Sequence, residues 1–158
     1  MSQAQIRPAA PQDVEAIVAL IRELAEFEQL AHLLEVTPEK LGPHLFGPKP
    51  VIEGLVAELE GRVVGYALYF TNYSTFLAKP GLYLEDLYVS PAQRGLGLGR
   101  EFLVALAQEA NRRDYGRFEW SVLDWNTNAI RFYEKMGATV MPDWRICRLA
   151  GAELRRYG

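Results

Sequence analysis

Apolar side chains recur at helical spacing near the start of the chain. The positions that repeat three and four residues apart are Val14, Ile17, Val18, Ile21, Leu24 and Ala25. Pro11 precedes them and suits the first position of a helix. The pattern predicts an amphipathic helix over residues 11–29, preceded by a short strand near residues 5–7.

Two β-prone runs follow at hairpin spacing. Residues 51–59 and 62–72 flank a turn at Glu60-Gly61, and the second run is almost continuously apolar, which is typical of a central strand. The preceding residues 31–50 are interrupted by proline and glycine. We expect an irregular cover there, with one or two helical turns after Thr37.

A strand, a glycine-rich loop and a helix are predicted next. Residues 73–81 form a polar loop, and residues 82–89 alternate as a strand with Tyr83, Glu85, Leu87 and Val89 on one face. Glycines at 95, 97 and 99 make a flexible loop, and helical spacing continues to about Arg113.

The last quarter of the chain predicts strand, helix and strand. Residues 117–123 alternate as a strand. Asn126 or Thr127 can cap a helix that runs to Met136, where Gly137 suits the C-terminal stop. A final strand is expected near residues 145–149, so the order is βαββ, β, α, β, α, β in an α/β fold.

Length, charge and cysteine content narrow the class of protein. The 158 residues fit one domain, residues 1–158, and 17 Lys+Arg against 20 Asp+Glu argue against a nucleic-acid partner. The only cysteine, Cys147, cannot form an internal disulfide, which favours the cytoplasm. No apolar run approaches the length of a membrane span, and no targeting segment is evident.

The glycine-rich loop is the first candidate binding site. In RGLGLGR at 94–100 every second residue lacks a Cβ, so backbone N–H groups can converge where a helix begins and presents its positive end. Phosphate is the ligand that this arrangement suits, although a tight turn without a ligand would use the same glycines. The spacing lacks both the dinucleotide fingerprint and the Walker lysine, which favours a diphosphate held by main chain.

Three segments together resemble the GNAT acyltransferase superfamily. They are LEDLYV at 84–89, RGLGLG at 94–99, which matches the R/Q-x-x-G-x-G/A acetyl-CoA motif, and WN at 125–126 followed by FYEKMGA at 132–138. From Ile6 to Trp144 the chain resembles the diamine (spermidine/spermine) acetyltransferase group. Its neutral segment YSTF at 73–76 and its VLDWN run at 122–126 resemble the thialysine N-epsilon-acetyltransferase branch of that group.

This resemblance implies a fold and a coenzyme. The fold is a single-domain, mixed, twisted sheet of six to seven strands with about four helices, in which the fourth and fifth strands splay apart around the pantetheine arm of acetyl-CoA. The residues that the resemblance assigns to the coenzyme are Leu87, Tyr88, Val89, Arg94, Gly95, Leu96, Gly97, Leu98, Gly99, Arg100, Asn126, Thr127, Asn128 and Ala129. It implies no metal, and His32 and His44 lack metal-ligand spacing.

Two residues are candidates for the chemistry of acetyl transfer. An alkylammonium with a pKa near ~10.4 must lose a proton before its nitrogen can attack. Glu85 either accepts that proton or binds the positive charge of the substrate, whereas Asp86 is expected to be a structural carboxylate. Tyr133 either protonates the departing sulfur or is an aromatic core residue, and the motif match favours the acid.

The acceptor site and the assembly are also implied by the resemblance. The acceptor residues are Phe27, Glu28, Glu85, Glu119, Trp120 and Ser121. The C-terminal segment, residues 144–149, would pack across a homodimer. The predicted activity is acetylation of a small cationic amine, a thialysine- or lysine-like molecule, a diamine or a polyamine. The alternatives are acetylation of a protein or peptide amine and a non-catalytic CoA-binding sensor.

Overall fold

The computed structural model describes residues 3–158. The chain divides into two compact units, Met1–Ser121 and Val122–Gly158. The helices are α1 (Val14–Phe27), α2 (Pro38–Phe46), α3 (Leu98–Arg112), α4 (Thr127–Lys135) and α5 (Gly151–Arg155), and the strands are β1 (Gln5–Pro8), β2 (Glu53–Leu59), β3 (Arg62–Ser74), β4 (Lys79–Val89) and β5 (Phe118–Trp120). The fold is α/β, as expected.

The first unit is built on one mixed sheet. Its strands lie in the order β1-β2-β3-β4-β5, antiparallel from β1 to β4 and parallel between β4 and β5. The apolar run of β3 is therefore at the centre of the sheet, as its composition predicted. Such a strand is covered on both faces and has no need of a polar side.

Helices α1 and α3 cover opposite faces of this sheet. The apolar stripe of α1 packs with Tyr66 and Tyr88 in one core cluster. Helix α3 lies close to the other face, because a Cβ on Gly65 would be 3.1 Å from the ring of Phe102 in α3. The same Cβ would be 3.0 Å from the Tyr88 carbonyl oxygen. Neighbouring residues of a strand point to opposite faces, so Gly65 faces α3 and Tyr66 faces α1.

Several helices and strands have other boundaries in the structure than the sequence pattern predicts. The expected polar loop at 73–81 is largely strand, because Tyr73 pairs with Pro80 and Ser74 with Lys79 in a long hairpin. The expected irregular cover contains α2, a nine-residue helix whose cap is Thr37, with the hydroxyl accepting the Lys40 N–H at 3.2 Å. The strand expected over 117–123 ends at Trp120.

The second unit contains α4, α5 and an exposed connecting segment. Asn126 caps α4, and Gly137, with a φ of +98°, follows its end as expected. Residues 145–149 are not a strand, so the sheet has five strands rather than six or seven. A strand needs a neighbour to satisfy its N–H and C=O groups, and within residues 3–158 this segment pairs with none.

None of the helices within residues 3–158 combines the length and the apolar content that crossing a lipid bilayer requires.

Candidate functional site

A β-bulge at Glu85 changes which way β4 presents its side chains. Leu84 pairs with Tyr69 and Asp86 pairs with Leu68, so Glu85 is an extra residue between consecutive pairs. Directly paired residues share a face, which places Leu84 on the α3 side and Asp86 on the α1 side. Glu85 itself is exposed.

The bulge corrects the alternation expected from sequence. Tyr83, Glu85, Leu87 and Val89 do not share one face, because the extra residue reverses the phase of the strand. Tyr83 pairs with Phe70, and their ring centroids lie 5.2 Å apart on the α1 side. Leu87 and Val89 lie on the α3 side, opposite Ala67 and Gly65.

A small cavity beside the bulge contains two carboxyl groups. Its volume is about 210 Å³, and it is lined by Ile21, Leu24, Ala25, Glu28, Leu30, Leu33, Leu34 and Asp86. Apart from Glu28 and Asp86, all of the lining side chains are apolar. An apolar cavity with two convergent acids suits a ligand with a cationic head and an aliphatic body.

Burial raises the pKa of both acids in this cavity. The pKa of Asp86 rises to about 6, because burial disfavours the charged form and the negative charge of Glu85 adds to that effect. The Tyr66 hydroxyl donates a hydrogen bond to the carboxylate at 3.2 Å, which favours the charged form and limits the rise. Burial also raises the pKa of Glu28. A bound cation would favour the charged form of each group and lower both values.

Strand β4 loses its β5 neighbour just before the bulge. The parallel pairing covers Leu82–Leu84 only, and the last pair joins Leu84 to Trp120. The hydroxyls of Tyr83 and Ser121 lie 2.8 Å apart at the point where pairing stops. Beyond it, within the described part of the chain, β4 continues to Val89 with no strand along that side, so an extended ligand can pair with its backbone there.

The glycine-rich loop leaves open space at the start of α3. Gly95 and Gly97 have φ values of +88° and +79°, and nothing lies within 4 Å of the Cβ position of Gly95, Gly97 or Gly99. Gly97 is the N-cap of α3 and has no side chain to occupy the first N–H groups of the helix. These donors and the positive end of the helix fit an anion such as a diphosphate.

The other predicted coenzyme residues differ in exposure and contacts. Arg94 donates from Nε to the Val89 carbonyl oxygen at 3.2 Å. Leu98 is buried, while Leu96 and Arg100 are exposed. In the second unit, Asn126 Oδ1 accepts the Ala129 N–H at 3.3 Å, so the side chain of Asn126 is used as a helix cap.

The predicted catalytic and acceptor residues have different contacts within their own units. Glu28 lines the carboxylate cavity, but Phe27, Glu119, Trp120 and Ser121 are not among its lining residues. Glu119 forms an ion pair with Arg117 at 3.0 Å, and the Trp120 ring lies 4.8 Å from that of Phe118. Tyr133 belongs to α4 in the second unit, where its ring centroid is 5.7 Å from that of Phe132.

Asp86 is the functional candidate that sequence reasoning missed. The expected hydrogen bond within the sheet is present, from Tyr66, but Asp86 also faces the cavity that holds Glu28. The sequence did carry one signal for this role, the two adjacent acids at 85 and 86. Neighbouring residues of a strand point to opposite faces, so one of the two acids must face the buried side of the sheet, where an unpaired carboxylate is costly.

Comparison with known proteins gives a consistent result. Residues 18–138 match the acetyltransferase (GNAT) family, and this segment crosses the division between the two units. A thialysine N-epsilon-acetyltransferase of Mus musculus is 38% identical, covering 98% of this chain and 97% of the relative. An L-ornithine N5-acetyltransferase of Arabidopsis thaliana is 35% identical, covering 96% of this chain and 86% of the relative.

Solved structures show the same fold. An integron cassette protein from the mobile metagenome of V. cholerae superimposes with a TM-score of 0.81 at 22% identity, covering 98% of this chain and 96% of the other. An aminoglycoside acetyltransferase from a soil metagenome has a TM-score of 0.76 at 20% identity, covering 93% and 95%.

Proposed function

The chain belongs to the GNAT acetyltransferase family and is an acyltransferase, and from this premise we propose that it transfers the acetyl group of acetyl-CoA to a primary amine of a small cationic molecule. The whole chain, residues 1–158, acts in this proposal as one catalytic domain. Its matched segment includes both the glycine-rich loop and Tyr133.

The carboxylate cavity is the observation that supports a cationic acceptor. Glu28 and Asp86 bring two acids to an aliphatic cavity of about 210 Å³. A protonated amine offsets the cost of ionising these buried acids by supplying the opposite charge, and the apolar walls suit its methylene chain. Among such amines we favour lysine-like amino acids, since relatives are named for thialysine and ornithine. The neutral 73–76 segment makes spermidine the weaker choice.

The residues around the glycine-rich loop fit the diphosphate of the coenzyme. Backbone N–H groups of residues 94–100 would bind it, the backbone of Leu87–Val89 would pair with the pantetheine arm, and residues 126–129 would border that arm. Acetyl-CoA supplies an acetyl group activated as a thioester. The open Cβ positions of the loop glycines are the feature of the structure that this assignment depends on.

Each candidate side chain has a separate role in the proposal. Glu28 and Asp86 bind the ammonium group, and Glu85, exposed at the bulge, accepts its proton directly or through water. If Glu85 instead only binds charge, it attracts the protonated amine and takes no proton from it. Tyr133 donates its phenolic proton to the sulfur that leaves.

We also propose a homodimer that works in the cytoplasm. Trp144, Ile146 and Leu149 are exposed by 78%, 71% and 58%, which is a large apolar surface for one short segment. A second chain is the partner that the resemblance indicates. The cytoplasmic assignment is based on the single cysteine and on the use of acetyl-CoA.

A thiol-release assay with acetyl-CoA tests this function. The panel consists of thialysine, lysine, ornithine, short diamines, spermidine and a lysine-containing peptide. We expect thiol release with the amino acids or diamines and a higher KM for the peptide. Preference for the peptide would indicate protein acetylation, and tight CoA binding without thiol release for any amine would indicate a sensor.

A further inference from the structure

The guanidinium group of Arg94 lies between two elements of the first unit, β4 and α1. Its Nε donates to the carbonyl oxygen of Val89, the last residue of β4. Its central carbon lies 5.3 Å from the ring centroid of Tyr88 and 5.8 Å from that of Phe27, the last residue of α1. The first residue of the glycine-rich loop is thus in contact with both α1 and β4.

The two aromatic rings differ in how firmly the fold holds them. Tyr88 is 6% exposed, packs in the core with α1, and donates its hydroxyl hydrogen to the Glu23 carboxylate at 3.2 Å. Phe27 is 47% exposed. The Phe27 ring is therefore partly in water, at a distance from the Arg94 guanidinium that allows a cation–π attraction.

The remaining donors of Arg94 are available for a ligand. Within residues 3–158 its two Nη atoms make no hydrogen bond or ion pair, while Nε is hydrogen-bonded and the central carbon lies near two rings. A guanidinium that is positioned by such contacts can offer its outer N–H groups to phosphate oxygens as a fork. A long side chain that is already ordered loses less entropy when it binds.

We propose that Phe27 is a positioning residue for the coenzyme: its ring stacks on the Arg94 guanidinium and holds the Nη donors ready for the diphosphate. This inference rests on the proposed function and deepens it. Phe27 precedes Glu28, which lines the carboxylate cavity. One end of α1 therefore serves both sites, with Phe27 acting on the coenzyme and Glu28 on the acceptor.

Calorimetric titration of the full chain with coenzyme A tests the proposal. Phe27→Leu removes the ring but keeps an apolar side chain, and we expect it to raise the Kd for coenzyme A about two- to fivefold, the range of an exposed cation–π contact. Phe27→Tyr keeps a ring and is expected to retain the affinity of the unsubstituted chain. Phe46→Leu is the matched control, because Phe46 is also a partly exposed aromatic residue at the end of a helix. The Kd of this variant for coenzyme A should equal that of the unsubstituted chain.

A double-mutant cycle separates positioning from general structural support. In an Arg94→Gln background the guanidinium is absent, so Phe27→Leu should produce no further change in Kd. The inference would be overturned by an unchanged Kd for Phe27→Leu. It would also be overturned if Phe27→Leu weakened binding equally with and without Arg94→Gln, or if Phe46→Leu weakened binding as much as Phe27→Leu. If the unsubstituted chain itself does not bind coenzyme A, the proposed function fails and the inference fails with it; if it binds and only the Phe27 expectation fails, the proposed function is unaffected.

Discussion

Glu85 and Asp86 are neighbours in sequence but have different environments. Glu85 is exposed at the bulge, whereas Asp86 is directed into an apolar cavity with Glu28. Burial raises the pKa of Asp86 to about 6, so this group changes its charge near neutral pH. The different environments allow the two acids to have different roles in acetyl transfer.

The Asp86 carboxylate should make binding of the amine depend on pH. An alkylammonium stays protonated between pH 5 and 7.5, so a change of KM in that range reports on the carboxyl groups of the cavity, Asp86 and Glu28. As the pH rises through about 6 Asp86 ionises, and the KM for the amine should fall. Asp86→Asn should abolish that step and raise KM at pH 7.5 about tenfold, the value of one charged hydrogen bond.

Steady-state kinetics with a diamine from pH 5 to 7.5 measures this effect. Asp143→Asn changes an exposed acid of the second unit and should keep the pH-dependent step. The same step in the Asp86→Asn profile would assign the titration to another group.

Replacement of Glu85 distinguishes a base from a charge-binding group. If Glu85 accepts the amine proton, Glu85→Gln should lower kcat/KM by about 10²-fold or more near pH 7. The loss should shrink toward pH 10, where the free amine becomes abundant without a base. Rates measured from pH 6.5 to 10 give the comparison, and a loss that is constant with pH would favour charge binding.

Replacement of Tyr133 tests the acid. Tyr133→Phe removes only the hydroxyl, and we expect turnover to fall about 10²-fold because the departing sulfur loses its proton donor. Tyr157→Phe, at an exposed tyrosine of the same unit, is the control in the thiol-release assay. Undiminished turnover by Tyr133→Phe would leave this residue as an aromatic packing group.

At the scale of helices and strands, the local sequence pattern sets some features of the fold and the pairing between strands sets others. The apolar stripe of α1, the Thr37 and Asn126 caps and the central β3 were predictable, because each depends on residues within a few positions. The bulge at Glu85 was not, because it is defined by the register with Leu68 and Tyr69 on another strand. That one-residue shift determines which face Asp86 occupies.

The glycine-rich loop has a matched control elsewhere in the chain. Gly97 and Gly61 have φ values of +79° and +78°, and a Cβ at either position would meet nothing within 4 Å. Alanine at either site should therefore lower the free energy of unfolding by a similar amount, about 1–3 kcal/mol, through backbone strain alone. Only Gly97→Ala should also weaken binding of coenzyme A, since relaxation of the loop turns its N–H groups.

Thermal melting and calorimetric titration of both variants check this expectation. Equal affinity for coenzyme A in the two variants would argue that the loop is only a turn between a strand and a helix.

At the scale of the whole molecule, the exposed C-terminal segment predicts association. Light scattering should give twice the chain mass of 17.9 kDa. Ile146→Asp places a charge in the apolar segment and should shift the protein toward monomer, because an unpaired charge is costly to bury. Phe76→Ser, at a fully exposed aromatic residue of the β3–β4 turn, should leave the mass unchanged. A monomer for the unsubstituted chain would reject the dimer.

The amino-acid sequence by itself determined the α/β class, most helices and strands, and the membership of the acetyltransferase family. Those features depend on residues close together in the chain and on short motifs with fixed spacing. Only the tertiary structure decided that Asp86 shares a cavity with Glu28, that Phe27 stacks on Arg94, and that residues 145–149 form no strand within the chain. The physical reason is that each of these depends on contact, or its absence, between segments far apart in sequence, and a single residue in the β4 register changes which segments meet.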